Sequence, residues 1–268
     1  MKTPARTTLF DRVVCGVDRS SAGIAAARAA ARVVAPDGTL EVLAVNDRSP
    51  AVHAGWRMPQ VLETLAAEAQ GALHRARAEA EPQHVLDGKL VEGDPLHALL
   101  GEIARCDATL VVVGSHGLSR ATGIALGAVS THLLHEAPCS VLIARGRIDA
   151  SEWPRRIVVG IDGSERSAAA LDASHELAER FDVPLRVIAA VEDVHVDLEA
   201  VRRLAPECEE HDARALDALT VASERSDLVV VGSRGLRGVR ALGSLSERLA
   251  HEARCSVFVV RTAPDDEG

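Results

Sequence analysis

The stretch RVVCGVDRSSAG (residues 12–23) returns as RIVVGIDGSERS (residues 156–167), and this recurrence decides how the chain is read. Three further blocks repeat in the same order: TLEVLAVND (39–47) with PLRVIAAVED (184–193), ATLVVVGSHGL (108–118) with SDLVVVGSRGL (226–236), and APCSVLIAR (137–145) with ARCSVFVVR (253–261). Self-similarity in a fixed order is the mark of a duplicated unit. Partner blocks lie 144, 145, 118 and 116 residues apart in turn, so the second copy lacks 27 residues ahead of its Gly-rich loop and two within it.

Inside a copy, short Val/Ile/Leu runs bounded by Gly, Asp or Pro read as strands buried on both faces, and the longer stretches between them carry helical spacing. The first copy gives strands at 13–17, 40–45, 85–91, 109–113 and 140–144, with helices near 21–34, 59–80, 95–105 and 128–136. The second keeps strands near 157–161, 185–190, 228–231 and 256–260. There, residues 197–204 read as a helical turn or two, and 206–212 are too charged for a central strand, so a third strand is expected to be short and at an edge. Alternation of this kind implies a doubly wound α/β layer with a parallel sheet. Residues 146–154, where Gly, Asp, Ser and Pro break both periodicities, read as the linker between domains at 1–146 and 155–262.

A length of 268 residues suits two domains, and 47% apolar with 26% charged residues suits a chain with a buried core. Aromatics are only 2%, with no Tyr, and the net charge is −9. Stacking platforms for single-stranded nucleic acid and a basic face for polyanions are both disfavoured. Residues 1–11 hold no apolar core of a signal sequence, and no window reaches the roughly 18 apolar residues of a membrane span, so a cytoplasmic protein without a membrane partner is expected. Five cysteines without a CxxC pair fit core or surface thiols better than a disulfide framework or zinc site.

Ligands of open α/β sheets sit beyond the carboxyl ends of strands, where the strand order reverses. The first strand ends at Asp18 in one copy and Asp162 in the other; each carboxylate reads either as facing a ligand's hydroxyls or phosphate-bound metal, or as a helix cap or turn residue. The fourth strand runs into Gly114-Ser115-His116-Gly117, then nine residues, then Gly127-Ala128-Val129-Ser130 at a helix start. Glycines there admit a ligand to the backbone, and free amides at the helix start can hold phosphate oxygens. His132 and His135 lie a turn apart beside Glu136, but without HExxH, and His251 recurs at the position of His135, so they read as structural. No catalytic set and no metal-ligand spacing can be assembled, and an enzyme is not expected.

At these residues the chain resembles the universal stress protein family, whose motif is Gly-x2-Gly-x9-Gly-[Ser/Thr] after the fourth strand with an Asp after the first. The likeness covers nearly the whole chain, twice. It implies two tandem doubly wound parallel-sheet domains of adenine-nucleotide-binding, flavodoxin-like order, the second shortened, with the domains paired through their last strands. It also implies ATP as ligand, with Mg²⁺ on the phosphates, and a role as a non-catalytic regulator that forms a homodimer and meets a protein client. By that likeness Asp18 faces the ribose or phosphate-metal region and Val45 or its neighbour borders the adenine. Gly114, Gly117, Gly127, Ala128, Val129 and Ser130 surround the triphosphate, and in the second copy the set is Asp162, Gly232, Gly235, Gly243, Ser244, Leu245 and Ser246.

Both copies depart from the pattern. Ala128 stands where Ser or Thr belongs, and Arg19 replaces the Gly of the Asp-Gly-Ser turn; in the second copy the residues match, but only seven separate Gly235 from Gly243. Two residues of extended chain span up to about 7 Å, the width of a phosphate and its contacts. The tighter site is therefore expected in the first copy, although Arg234, Arg237 and Arg240 could neutralise an anion in the second. The alternative readings are a nucleotide-free interaction scaffold of the same fold and a slow ATPase.

Overall fold

The computed structural model describes residues 9–47, 59–79, 85–117, 126–193, 195–233 and 244–262. The first copy lays down strands β1 (Arg12–Val17), β2 (Thr39–Asn46), β3 (Val85–Glu92), β4 (Leu110–Gly114) and β5 (Ser140–Ala144). Between them run helices α1 (Ser21–Val33), α2 (Pro59–Glu79), α3 (Pro95–Arg105) and α4 (Ala128–Glu136). The second copy gives, in chain order, β6 (Ile157–Gly160), α5 (Glu165–Phe181), β7 (Leu185–Ala190), α6 (Leu198–Leu204), β8 (Glu209–His211), α7 (Ala215–Ser223), β9 (Leu228–Ser233), α8 (Leu245–Glu252) and β10 (Ser256–Arg261).

The last strands of the two copies adjoin, as the family likeness implies, and all ten strands thereby join in one sheet, ordered β3-β2-β1-β4-β5-β10-β9-β6-β7-β8. Each half thus has the order 3-2-1-4-5, which corrects the flavodoxin-like 2-1-3-4-5 expected from the family likeness. Charge explains the difference. The flavodoxin-like order would put β3, with Lys89 and Glu92, between apolar neighbours, whereas the observed order leaves it at an edge where Lys89 reaches Glu41 (3.0 Å) and Glu102 (2.5 Å). The other rim carries β8, only three residues long, with Glu209 paired to Arg186 (2.6 Å) and Glu210 to Arg202 (2.7 Å). Charged, short edge strands resist pairing with other chains.

Each face of the sheet is covered by helices. One layer joins α1, α2 and α5 to residues such as Val42, Leu142 and Phe258; the other joins α3, α4, α7 and α8 to residues such as Val111, Val141 and Val257. Helix α1 begins at Ser20, whose hydroxyl accepts the Gly23 amide, and its alanines 22, 25, 26, 29 and 30 form the buried stripe. Small side chains let this helix lie close on β4. Cys139 and Cys255, just ahead of β5 and β10, are buried, and burial pushes both thiols up to about 12, so they stay protonated and inert.

The two halves are held by more than a tether. Strands β5 and β10 pair antiparallel, with Val257 opposite Ile143 and Val259 opposite Val141. The Arg145 amide donates to Ser256 Oγ (3.2 Å), and the Arg261 amide donates to Ser140 Oγ (3.0 Å). Arg145 sends its guanidinium to the carbonyls of Ala250 (2.7 Å) and Ala253 at the end of α8; Arg261 sends its own to those of Leu134 and Ala137 at the end of α4. Each arginine thus satisfies carbonyls that a helix end leaves unpaired, in the half to which it does not belong. Arg180 does the same for α1, donating to the carbonyls of Val33 (2.8 Å) and Arg32 (3.0 Å).

The stretch 146–154 has no regular structure, yet it is packed. Ile148 and Trp153 are buried in the α1/α5 layer, Arg28 donates to the Ile148 carbonyl (2.9 Å), and Arg32 donates to that of Trp153 (3.0 Å). Replacing Arg145 or Arg261 by Met keeps the aliphatic stem but strands two helix-end carbonyls, at a cost of about 1–3 kcal/mol. Urea unfolding should show that loss for each single variant, and a smaller second loss in the double variant because the two clamps brace one interface.

Candidate functional site

The strand order reverses between β1 and β4 in the first half and between β6 and β9 in the second. The tips of these neighbours carry Asp18 and Ser115-His116-Gly117, or Asp162 and Gly232-Ser233. In both halves the carboxylate builds a turn. Asp18 Oδ1 accepts the Ser20 amide (3.0 Å) and its hydroxyl; Asp162 Oδ1 accepts the Ser164 amide (3.0 Å) and hydroxyl (2.6 Å). Ser20 and Ser164 in turn cap α1 and α5. The caps are the serines, and the aspartates hold them in place.

The second carboxylate oxygen of Asp18 is turned toward the β4 tip, where a Cβ on Gly117 would come within 2.9 Å of it. The Gly127 amide donates to the Ser115 carbonyl (2.7 Å), which brings the start of α4 over the same tip. A Cβ on Gly127 would lie 3.2 Å from His116 Cα. Helix α4 begins without a side-chain cap, because Gly127 offers none, so among the described residues no side chain caps the first-turn amides from Ala128 to Ser130. Asp18, Gly117, Gly127, Ala128 and Val129 therefore meet in one place.

Three of the expected residues have other work. Gly114 lies against α1: a Cβ there would fall 2.7 Å from the Ala22 carbonyl oxygen. Gly232 is pressed in the same way on the Arg166 carbonyl, at 2.5 Å. The Ser130 side chain is buried and donates to the Gly114 carbonyl (2.7 Å), which leaves its backbone N–H as the group it can offer. Val45 packs at the margin of the α3/α4 layer, while its neighbour Asn46 is 2% exposed with an Oδ1 that has no hydrogen-bond partner among the described residues.

The second half holds a cavity of about 970 Å³ at its strand tips, lined among others by Asp162, Ser164, Gly232, Ser233, Ser244 and Ser246. Leu245 also borders it. Unlike α4, helix α8 is capped: Ser244 Oγ accepts the Glu247 amide (3.3 Å) and lies 3.1 Å from Ser246 Oγ. Gly163, at φ +85°, lets the Asp197 carbonyl approach to 2.7 Å from where a Cβ would stand; Arg19, its counterpart, forms an ion pair with Glu68 of α2. Gly235, Gly243 and the arginines 234, 237 and 240 lie outside the described residues.

His132 Nδ1 bonds the Ala128 carbonyl of its own helix (2.7 Å), whereas His135 and His251 lie where the halves meet. His135 Nε2 is 3.3 Å from Glu247 of α8, and His251 Nδ1 accepts the Leu126 amide (3.3 Å). Sequence reading missed the clamps Arg145 and Arg261, although both close the last repeated block. It also missed Arg166, Arg214 and Arg248, which line the second cavity from three different helices.

The sequence model of the universal stress protein family matches residues 9–145, 154–218 and 199–261. A universal stress protein of Mycobacterium tuberculosis is 32% identical over 174 residues, covering 54% of this chain and 59% of the relative. One from Mycolicibacterium smegmatis is 30% identical over 179 residues, covering 55% and 60%. The matches thus span about three fifths of these relatives' own length. Among solved structures, a universal stress protein from Archaeoglobus fulgidus superposes with a TM-score of 0.72 at 20% identity, covering 97% of this chain and 100% of that one.

The two kinds of glycine separate by experiment. Gly114→Ala forces a Cβ against backbone of α1, and overpacking of that sort costs about 1–3 kcal/mol. Among the described residues, Gly117→Ala meets only the tip of the Asp18 side chain. Thermal unfolding should fall clearly for the first and hold within a degree or two for the second.

Proposed function

The chain belongs to the universal stress protein family, and from that premise we propose that it is a non-catalytic ATP-binding regulator of a stress response, with its tighter nucleotide site in the first copy. The observation that carries the reading is the meeting of Asp18, Gly117 and the uncapped start of α4 at the point where the strand order reverses. The amides of Ala128, Val129 and Ser130 suit phosphate oxygens, aided by the helix dipole. The free oxygen of Asp18 suits a ribose hydroxyl or Mg²⁺ on the phosphates. Side chains near Val45 supply an aliphatic border for the base, as a chain with 2% aromatics requires. In this non-catalytic reading Asp18 holds its turn through Oδ1 and meets the ligand through its second oxygen, while Ser130 braces a backbone carbonyl.

Homodimer formation and contact with a client belong to the same proposal. Strands β5 and β10 are used up within the chain, so a second copy docks on another surface. No helix among the described residues is long and apolar enough to cross a membrane.

Denaturing the purified protein and chromatographing the supernatant should release adenine nucleotide, and calorimetric titration with ATP and Mg²⁺ should find a site in the wild type. Asp18→Asn keeps an oxygen for the Ser20 turn but removes the charge, and should weaken binding about tenfold, the loss of a charged contact. Gly117→Ala should weaken it similarly without unfolding. Wild-type binding that ignores both changes would refute the first-copy site, and absence of binding would favour the nucleotide-free scaffold. A light-scattering mass of one chain would refute the dimer.

A further inference from the structure

Three arginines line the second-half cavity: Arg166 in the first turn of α5, Arg214 at the N-cap of α7 and Arg248 in the first turns of α8. Among the described residues none of them has an ion pair or side-chain hydrogen bond. They sit where positive charge is least welcome, since a helix start already carries a partial positive charge and favours acidic side chains. Three helices that open on the same cavity each accept this cost.

The acids on the cavity wall offset it only in part. Asp162 is bound to the Ser164 turn, and Asp193 accepts the Ala215 amide (2.8 Å); Asp217 lies in the first turn of α7. The first half lacks the arrangement. Its counterparts are Ala22 and His132 by repeat spacing and Asp94 at the N-cap of α3. The cavity is also lined by the aliphatic side chains of Ile188, Leu216 and Leu219, and by Leu134 of α4 from the first half.

We infer that the second half is a separate site for a nucleotide ending in a single phosphomonoester, whose phosphate is held by the guanidinium groups of Arg166, Arg214 and Arg248 rather than by loop amides. The inference rests on the reading of the family's clefts as nucleotide sites. A cavity lined by both aliphatic and cationic side chains fits a molecule with a flat apolar end and a dianionic end, and guanidinium is the side chain best shaped for phosphate oxygens. The loop before α8 is two residues shorter than its counterpart. Ser244 and Ser246 hydrogen-bond to each other at the same cavity (3.1 Å), and between them they hold one hydroxyl proton beyond that bond. The halves then divide the work: long loop and bare amides for a long phosphate chain, short loop and arginines for a short one.

The test uses the full chain with adenosine monophosphate, adenosine and ATP as probes in calorimetry. Arg214→Gln with Arg248→Gln changes two exposed side chains and should leave folding intact. Adenosine monophosphate should bind the wild type and Gly117→Ala alike and lose at least tenfold in affinity in the arginine double variant; adenosine should bind far more weakly than its monophosphate. ATP binding sensitive to Asp18→Asn should be unchanged by the arginine variant. No binding of the monophosphate to the wild type, binding indifferent to the arginines, or adenosine binding as tightly would each overturn the inference. If ATP fails to bind the first half while the arginine-dependent monophosphate site remains, the first-copy reading falls and this one stands.

Discussion

The antiparallel pairing of β5 with β10 is the constraint on which the rest of the molecule depends. Every other strand pairing in the sheet is parallel, so direction changes once, at the centre. Both strands are buried along their whole length, and either one alone would be an apolar edge seeking a partner. Joining them closes both edges and makes each core layer continuous across the two halves. Arg145 and Arg261 then tie each half's last helix to the other half's last strand. The linker adds a second anchor in Ile148 and Trp153 rather than a flexible hinge.

One change of direction also places the carboxyl ends of the two halves at opposite margins of the sheet. Helices run against their strands, so the end of α4 arrives at the margin where the second half has its cavity. This is why Leu134 borders the second cavity and His135 meets Glu247 at the start of α8. The reverse contact, from His251 to the Leu126 amide, sets the end of α8 beside the entry to α4. The second cleft is therefore partly walled by the other repeat.

Strand positions were legible because a buried parallel strand leaves an apolar run that nothing else in such a chain imitates: VVVG at 111–114 and again at 229–232. Neighbour order was not, because periodicity reports burial and not adjacency; only the charges at Lys89 and Glu92 hinted that β3 belonged outside. Asp18, Gly117 and Gly127 could be brought together on paper because each sits at a strand tip or helix start. Gly114 and Gly232 show where such reading stops, since glycine serves close helix packing and ligand approach with the same letter. The cavity arginines at 166, 214 and 248 are spread over three blocks, and only the topology unites them. The loop arginines, Gly235 and Gly243 stay beyond the described residues.

Strand β8 has a meaning for the history of the repeat. The missing 27 residues fall where the first half builds α2 and β3, at the rim farthest from the central pairing. A rim strand braces one neighbour instead of two, and its loss exposes little that the short α6 cannot cover. Erosion of a duplicated gene falls mainly on the outside, 27 residues at the rim against two ahead of α8, and the four surviving blocks of similarity trace the part of the protein that changed least.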